Sequence, residues 1–241
     1  MLEVLQHQSG VLALAKPAGL PTQAVQGLAS VEALIRRQLF GTAVAKDLAA
    51  GRRRHPGGFL GVPHRLDRPV SGVLLFATTP RAARQLSRQF ERRQIEKMYL
   101  AVVEPMVAAP LAESDTFEWQ DLIRKIPDEA RAEIVAADMP GGREAVTHGR
   151  VIAATGGRFL LELRPQTGRT HQLRLQAAAR GLPIVGDQLY GNADREAASA
   201  ASPLALHALR IGYHDPDTGE PVSVACPLPE SPLWGDWRWV R

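Results

Sequence analysis

Asp67 is the residue of this chain whose surroundings best suit chemistry. It stands in Pro63-His64-Arg65-Leu66-Asp67-Arg68-Pro69-Val70-Ser71-Gly72, between two arginines, and the apolar run Val73-Leu74-Leu75-Phe76-Ala77 follows at once. A strand that begins where the loop ends fixes the carboxylate in space, and the adjacent guanidiniums favour its ionised form. Nucleophilic or acid/base work needs both conditions. The same residues would also make an ordinary surface turn with its Asp paired to neighbours. Arg169 is a second candidate, in Arg164-Pro165-Gln166-Thr167-Gly168-Arg169-Thr170-His171-Gln172-Leu173-Arg174. It follows a strand at 159–163, and Thr170 is the expected cap of a helix running to Gly181, which puts the guanidinium at a strand end beside a helix N-terminus. A third feature is the row Arg81, Arg84, Arg88 and Arg92, which helical spacing lines along one face. Such a row is either a solvated face or a set of phosphate contacts.

The elements that must hold these residues are legible in outline. Two short strands, 4–5 and 11–15, flank the turn Gln8-Ser9-Gly10. Ser30 caps a helix with Val31, Leu34, Ile35 and Leu39 on its apolar face and Gly41 at its end. Residues 46–61, with Arg52-Arg53-Arg54-His55, have no amphipathic period and are expected to form a basic loop. Thr79 and Pro80 open a helix to Arg93 that turns Ala83, Leu86 and Phe90 inward. Residues 95–103 alternate as a strand, with Lys97, Tyr99 and Ala101 on one side. The stretch 107–142 shows no period and is expected to hold short strands and irregular loops. Strands return at 145–152, 159–163, 204–213 and 221–225, the last two joined through Asp215-Pro216-Asp217-Thr218-Gly219, and Trp234, Trp237 and Trp239 are expected to pack back onto the chain. No repeat or linker interrupts this order, so residues 1–241 are expected to form a single domain.

Composition removes several classes of function. Cys226 stands alone, which excludes an internal disulfide framework and a cysteine-rich zinc site. No phosphate-binding glycine loop and no dinucleotide fingerprint occurs. Metal-dependent hydrolysis through an aspartate nucleophile would want a second carboxylate close by, and no Asp lies two residues from Asp67. Lysine and arginine outnumber the acids 29 to 25, a mild basic excess compatible with a polyanion. No apolar run is long enough to span a bilayer and no signal peptide opens the chain, so a soluble cytoplasmic protein is expected. His64, His171 and His207 are expected to hydrogen-bond within loops rather than to move protons.

Several segments together resemble the RluA-type pseudouridine synthases, in the same order and at similar separations. They are Lys16-Pro17-Ala18-Gly19-Leu20, His64-Arg65-Leu66-Asp67 with Ser71-Gly72, Lys97 with Tyr99-Leu100, Ala145 with Thr147, the 167–174 segment, Gly186-Asp187 with Tyr190-Gly191, and Leu206-His207-Ala208. The resemblance spans residues 11–229. It implies an α+β pseudouridine synthase fold, a mixed, largely antiparallel sheet of about eight strands flanked by helices and loops, and conversion of a chosen uridine in RNA to pseudouridine with no cofactor and no metal. By the same resemblance Asp67 is the catalytic aspartate, acting as nucleophile or on the sugar's proton. Arg169 is the arginine that pairs with it, and Tyr99 is the ring that stacks on the base.

The resemblance further makes Arg65 the side chain that enters the space left by a flipped uridine, and Leu66, Lys97 and Leu173 part of the substrate site. Arg81, Arg84, Arg88 and Arg92 would add phosphate contacts. Val70 departs from the family, which usually has threonine there, and 103–144 matches loosely. Lys16-Pro17 falls so near the start that no S4 RNA-binding domain is expected before it, and the expected partner is a structured RNA, tRNA before rRNA. Neither a membrane nor an obligate protein partner is implied, and a monomer is expected. A catalytically silent RNA-binding module using the same basic surface is the alternative, and the presence of Asp67, Tyr99 and Arg169 together argues against it.

Overall fold

A turn that only left-handed residues can make sets the first hairpin. The computed structural model of the chain describes residues 1–24, 28–49, 58–106, 111–191 and 203–237. Strand β1 (Glu3–Gln8) pairs antiparallel with β2 (Val11–Lys16), and the two residues between them, Ser9 and Gly10, have φ of 49° and 73°. Two successive positive φ values give the hairpin twist that matches the strands. Gly10 is also required by space, because a Cβ there would lie 2.6 Å from Thr79 Oγ1.

These strands belong to the first of two units, Met1–Glu96 with Ala208–Pro227. Here β2 pairs antiparallel with β3 (Ser71–Ala77), every residue of which is buried, as expected of an unbroken apolar run with strands on both sides. Its other neighbour is β9 (Leu206–His214), and β9 pairs in turn with β10 (Pro221–Ala225). Gly72 has φ 122° and a Cβ on it would stand 2.3 Å from the Ala208 carbonyl oxygen, so no side chain can enter between β3 and β9 at the residue that follows the Asp67 loop.

Two helices complete this unit. In α1 (Val31–Ala49) the Ser30 hydroxyl accepts the Ala33 N–H at 3.1 Å, as a cap should. Val31 and Ile35 are fully buried, but Leu34, expected on the same face, is 39% exposed. Gly41 breaks the helical path at φ 81°, ψ 170°, where the helix was expected to stop, and helical turns resume beyond it through Ala49. Residues 46–49 of the expected basic loop are therefore helical, and Arg52, Arg53, Arg54 and His55 lie outside the described residues. Helix α2 (Pro80–Glu91) starts as expected, with Thr79 accepting the Ala82 N–H at 3.1 Å and Pro80 in the first turn. Its buried face is Ala82, Leu86 and Gln89 rather than Ala83, Leu86 and Phe90. Gln89 takes a core position because its amide both donates to the His214 carbonyl and accepts the His214 N–H, each at 2.8 Å.

The second unit is Lys97–His207 with Leu228–Arg241. Its strands are β4 (Glu96–Val103), β5 (Thr116–Lys125), β6 (Ala132–Val135), β7 (Arg143–Thr155) and β8 (Arg158–Pro165), in the order β4-β8-β7-β5-β6 with every pair antiparallel. The stretch expected to hold short strands and irregular loops thus contains the ten-residue β5, longer than expected, and its short partner β6. Phe117, Trp119, Asp121 and Ile123 share one face of β5, and Asp121 breaks the apolar alternation that would have marked the strand. Helix α3 (Gln172–Ala179) begins later than the Thr170 cap would have it, since His171 occupies the cap position in the left-handed conformation and makes no capping bond. Trp234 and Trp237 are buried in a 3₁₀ turn, Pro232–Trp237, as expected of a tail that packs back, and Trp239 lies outside the described residues. Ten strands and three α-helices among the described residues make this an α+β chain whose strands pair mostly antiparallel.

Candidate active site

Asp67 sits in a turn held on both sides by the segment that follows β2. Its own carbonyl accepts the Val70 N–H at 3.1 Å, closing the turn, and its side chain is partly exposed. One residue earlier, the Thr22 hydroxyl donates to the Leu66 carbonyl at 2.9 Å and accepts the Leu66 N–H at 3.1 Å. One residue later, Gly19 N–H donates to the Arg68 carbonyl at 2.8 Å and Arg68 Nε returns a bond to the Gly19 carbonyl at 3.0 Å. Beneath them lies Lys16, 2% exposed, whose ammonium donates to the carbonyls of Val70, Pro17 and Arg68 at 2.5, 3.0 and 3.2 Å. Burial pulls the Lys16 amine down to about 8, and the charge of Asp67 opposes that fall.

The loop is tied to β3 and α2 as well. His64 Nε2 accepts the Leu75 N–H at 2.9 Å, so that nitrogen carries no proton, and the ring stacks on Phe90 at 4.8 Å. That stacking is why Phe90 leaves the core face of α2. Of the other residues expected here, Arg65 is exposed while Leu66 is 6% exposed. Arg84, Arg88 and Arg92 are exposed along α2, as the spacing implied. Arg81 differs from them. Its Nε lies 3.3 Å from Asp217 and its NH2 donates to the Pro216 carbonyl, which ties the start of α2 to the β9–β10 turn.

In the second unit, Tyr99 is half-buried on β4 opposite Leu163 of β8. Lys97, two residues back on the same face, donates to the Thr167 carbonyl at 2.9 Å. Its ammonium therefore braces the loop that carries Arg169. Arg169 is held at both ends, with Nε donating to the Glu144 carbonyl at 2.8 Å and its backbone N–H donating to Gln172 Oε1 at 3.0 Å. Gln172 is 4% exposed and spends its whole amide on this corner: Oε1 also accepts from the Thr167 hydroxyl at 2.8 Å, while Nε2 donates to Thr147 Oγ1 at 2.9 Å and to the Val146 carbonyl at 3.1 Å.

The chain of bonds runs on into the core. The Thr147 hydroxyl donates to Gln176 Oε1 at 2.7 Å, Gln176 Nε2 donates to Asp121 at 2.8 Å, and Arg180 donates to the same carboxylate oxygen at 3.0 Å. This explains Asp121 on an inward face. Leu173, 6% exposed, sits in the same first turn of α3. Beside it, Arg174 and Asp187 form a two-pronged ion pair at 2.6 and 2.7 Å, 4% and 1% exposed, and Asp187 also accepts the N–H groups of Leu189 and Tyr190. The Tyr190 hydroxyl bonds His171 Nδ1 at 2.9 Å, and burial raises its pKa. His207 is 1% exposed and meets Trp234 edge-on.

Sequence reasoning singled out Lys16, Thr147, Gln172 and Asp187 only as parts of a motif and missed Thr22, Gln176 and Asp121 as supports. Their signal was weak because polar side chains in a buried network look like loop or surface residues until their partners are known. Cys226 offers no competing nucleophile, since burial pushes its thiol up to about 12. No group of three metal-ligating side chains occurs among the described residues, and no described helix is long and apolar enough to cross a membrane.

Residues 10–179 match the family model of RNA pseudouridylate synthases. The chain is 36% identical over 230 residues to an uncharacterized RNA pseudouridine synthase of Zymomonas mobilis, covering 95% of this chain and 94% of that protein. It is 35% identical over 242 residues to ribosomal large subunit pseudouridine synthase D of Xanthomonas campestris, covering 95% and 66%. With tRNA pseudouridine synthase C of Salmonella typhi it shares 33% over 249 residues, covering 96% and 87%. Among solved structures, human RNA pseudouridylate synthase domain containing 4 superposes with a TM-score of 0.69 at 24% identity over 95% of this chain and 89% of that one, a likeness of fold.

Proposed function

Because the chain belongs to the RNA pseudouridylate synthase family, we propose that it isomerises uridine in a structured RNA, with Asp67 acting at the ribose, Tyr99 stacking on the base and Arg169 serving as the cation that the resemblance pairs with the aspartate. The observation that carries this reading is the Asp67 turn, a carboxylate on a loop that other segments hold at residues 66, 68 and 70 and that leads directly into a fully buried strand. A group that must meet one carbon of a flipped nucleotide gains from such fixity. In the reaction the N1–C1′ bond breaks, the uracil turns, and C5 bonds to C1′. The C5 hydrogen leaves as a proton and N1 gains one, so no oxidant or co-substrate is required.

Transfer RNA is the first choice of substrate and ribosomal RNA the second. A relative named for tRNA aligns with 96% of this chain and one named for the large ribosomal subunit with 95%, so both RNAs stand as candidates. The test is tritium release from tRNA and rRNA transcripts carrying uridine labelled at carbon 5. Wild-type protein should release tritium from tRNA, and Asp67→Asn, which keeps the shape and removes the charge, should lower the rate by about a thousandfold or more with unchanged circular dichroism. Near-wild-type release by that variant would remove Asp67 from the chemistry. Release from rRNA alone would reverse the order of substrates.

A further inference from the structure

Phe59 has no part in the reaction as just described, and it is the exposed ring among six phenylalanines: it is 41% exposed, while the other five are buried or half-buried. We propose that Phe59 is a base-stacking residue, which receives a nucleotide flanking the target uridine where the RNA strand leaves the Asp67 site. The inference rests on the uridine-isomerising reading above. The main chain that carries the ring is clamped on both sides. Arg36 of α1, itself paired to Glu32 at 2.8 Å, donates to the Gly58 carbonyl at 3.3 Å and to the Leu60 carbonyl at 3.0 Å. Leu60 is 6% exposed, and Gly61 exchanges two hydrogen bonds with Ala77 at the end of β3, at 2.8 and 2.9 Å. A ring on so short and so well anchored a segment is presented in a set position, which lowers the cost of ordering a ligand against it.

The ring also lies on the path to the Asp67 turn, within the first unit. Gly61 passes close to α2, since a Cβ on it would stand 3.0 Å from Ala83 Cβ and 3.4 Å from the Phe59 ring. Three residues on, His64 stacks on Phe90, about two turns further along the same helix. Residues 59–65 therefore run beside α2 toward Asp67, and they end in the exposed Arg65. Arg84 and Arg88, both exposed, directly follow Ala83 and Ser87 and so border this side of the helix, whose single acid is Glu91 in the last turn. That charge suits a polyanion better than a protein partner. A nucleotide flipped toward Asp67 stays joined to its neighbours through phosphates, so the strand must leave over the surface beside the turn. A ring that accepts any base, next to guanidiniums that accept phosphates, holds a single strand without reading its sequence.

The experiment uses the full chain, with filter binding and tritium release on the same tRNA and rRNA transcripts. Phe59→Leu should weaken binding about 10-fold and raise KM to match, with kcat within about threefold of wild type, because a contact to a flanking base is made equally before and during the chemistry. Phe59→Trp, with a larger stacking face, should bind at least as tightly as wild type. The slope of log affinity against log salt should be the same in Phe59→Leu as in wild type, since the ring carries no charge. Urea midpoints of both variants should stay near the wild-type value, as expected of a surface position. Wild-type affinity and KM in Phe59→Leu, an equal loss in Phe59→Leu and Phe59→Trp, or a loss confined to kcat would overturn the stacking role. So would a wild-type dimer in sedimentation that Phe59→Leu dissolves, because a second copy of the chain would then be the occupant. If wild-type protein releases no tritium from either RNA, the isomerase reading fails, and filter binding still decides whether Phe59 holds RNA.

Discussion

The Asp67 turn and the Arg169 loop are each held firmly, by opposite means. Around Asp67 a buried ammonium and a hydroxyl grip main-chain atoms of one short segment. Around Arg169 neutral carboxamides and hydroxyls, Gln172, Thr147, Thr167 and Gln176, satisfy one another and pass the constraint into the core. A carboxamide has no proton to lose near neutral pH, whereas a lysine at about 8 does. The anionic group of the proposed site thus rests on a support that titrates, and the cationic group rests on one that does not.

The largest effect that would sharpen this contrast is structural. Asp187→Ala would remove the carboxylate that takes two hydrogen bonds from the buried Arg174 guanidinium, and loss of one partner of a buried pair costs about 3–5 kcal/mol. Urea unfolding should show a loss of that order, and a change below about 1 kcal/mol would mean the pair is better hydrated than its 4% and 1% exposure implies. Gln172→Leu comes next. Removing the amide takes the Gln172 acceptor from the Arg169 N–H and the Thr167 hydroxyl and the Gln172 donor from Thr147 and the Val146 carbonyl, so a loss of about 1–3 kcal/mol is expected, together with faster hydrogen exchange at residues 166–171 to the same degree at neutral and alkaline pH. Alkaline-dependent loosening of that loop in the wild type would break the comparison.

The smallest effect tests the surface rather than the supports. Replacing Arg84 and Arg88 together with Gln should lower the slope of log affinity against log salt by roughly 1.4 if both contact single-stranded RNA phosphates. Stability should stay within about 0.5 kcal/mol, because both side chains are exposed. An unchanged slope in a filter-binding salt series would mark this face of α2 as merely solvated. Arg81 is left out of the test because its contact with Asp217 would mix a tether with a phosphate contact.

Much of the frame was legible from local signals. The Ser9-Gly10 turn, the Thr79-Pro80 helix start and the buried run of β3 are each decided by a few adjacent residues, through backbone preference or an unbroken apolar stretch. The candidate residues Asp67, Tyr99 and Arg169 stood out because their motifs occur in order along the chain, and the family match covers all three. Strand β5 was hidden because Asp121 interrupts its alternation, and that aspartate is acceptable inside only because Gln176 and Arg180 come from α3 to meet it. Phe90 and Gln89 exchanged places on α2 for the same kind of reason, since His64 and the His214 backbone, far away in sequence, offered a stacking partner and two hydrogen bonds. The residues themselves determine where turns, caps and apolar strands fall, because those choices are made within a few bonds. Which polar side chains go inside, and that Lys16 lies beneath Asp67, depend on partners tens of residues away, so the tertiary structure alone decided them.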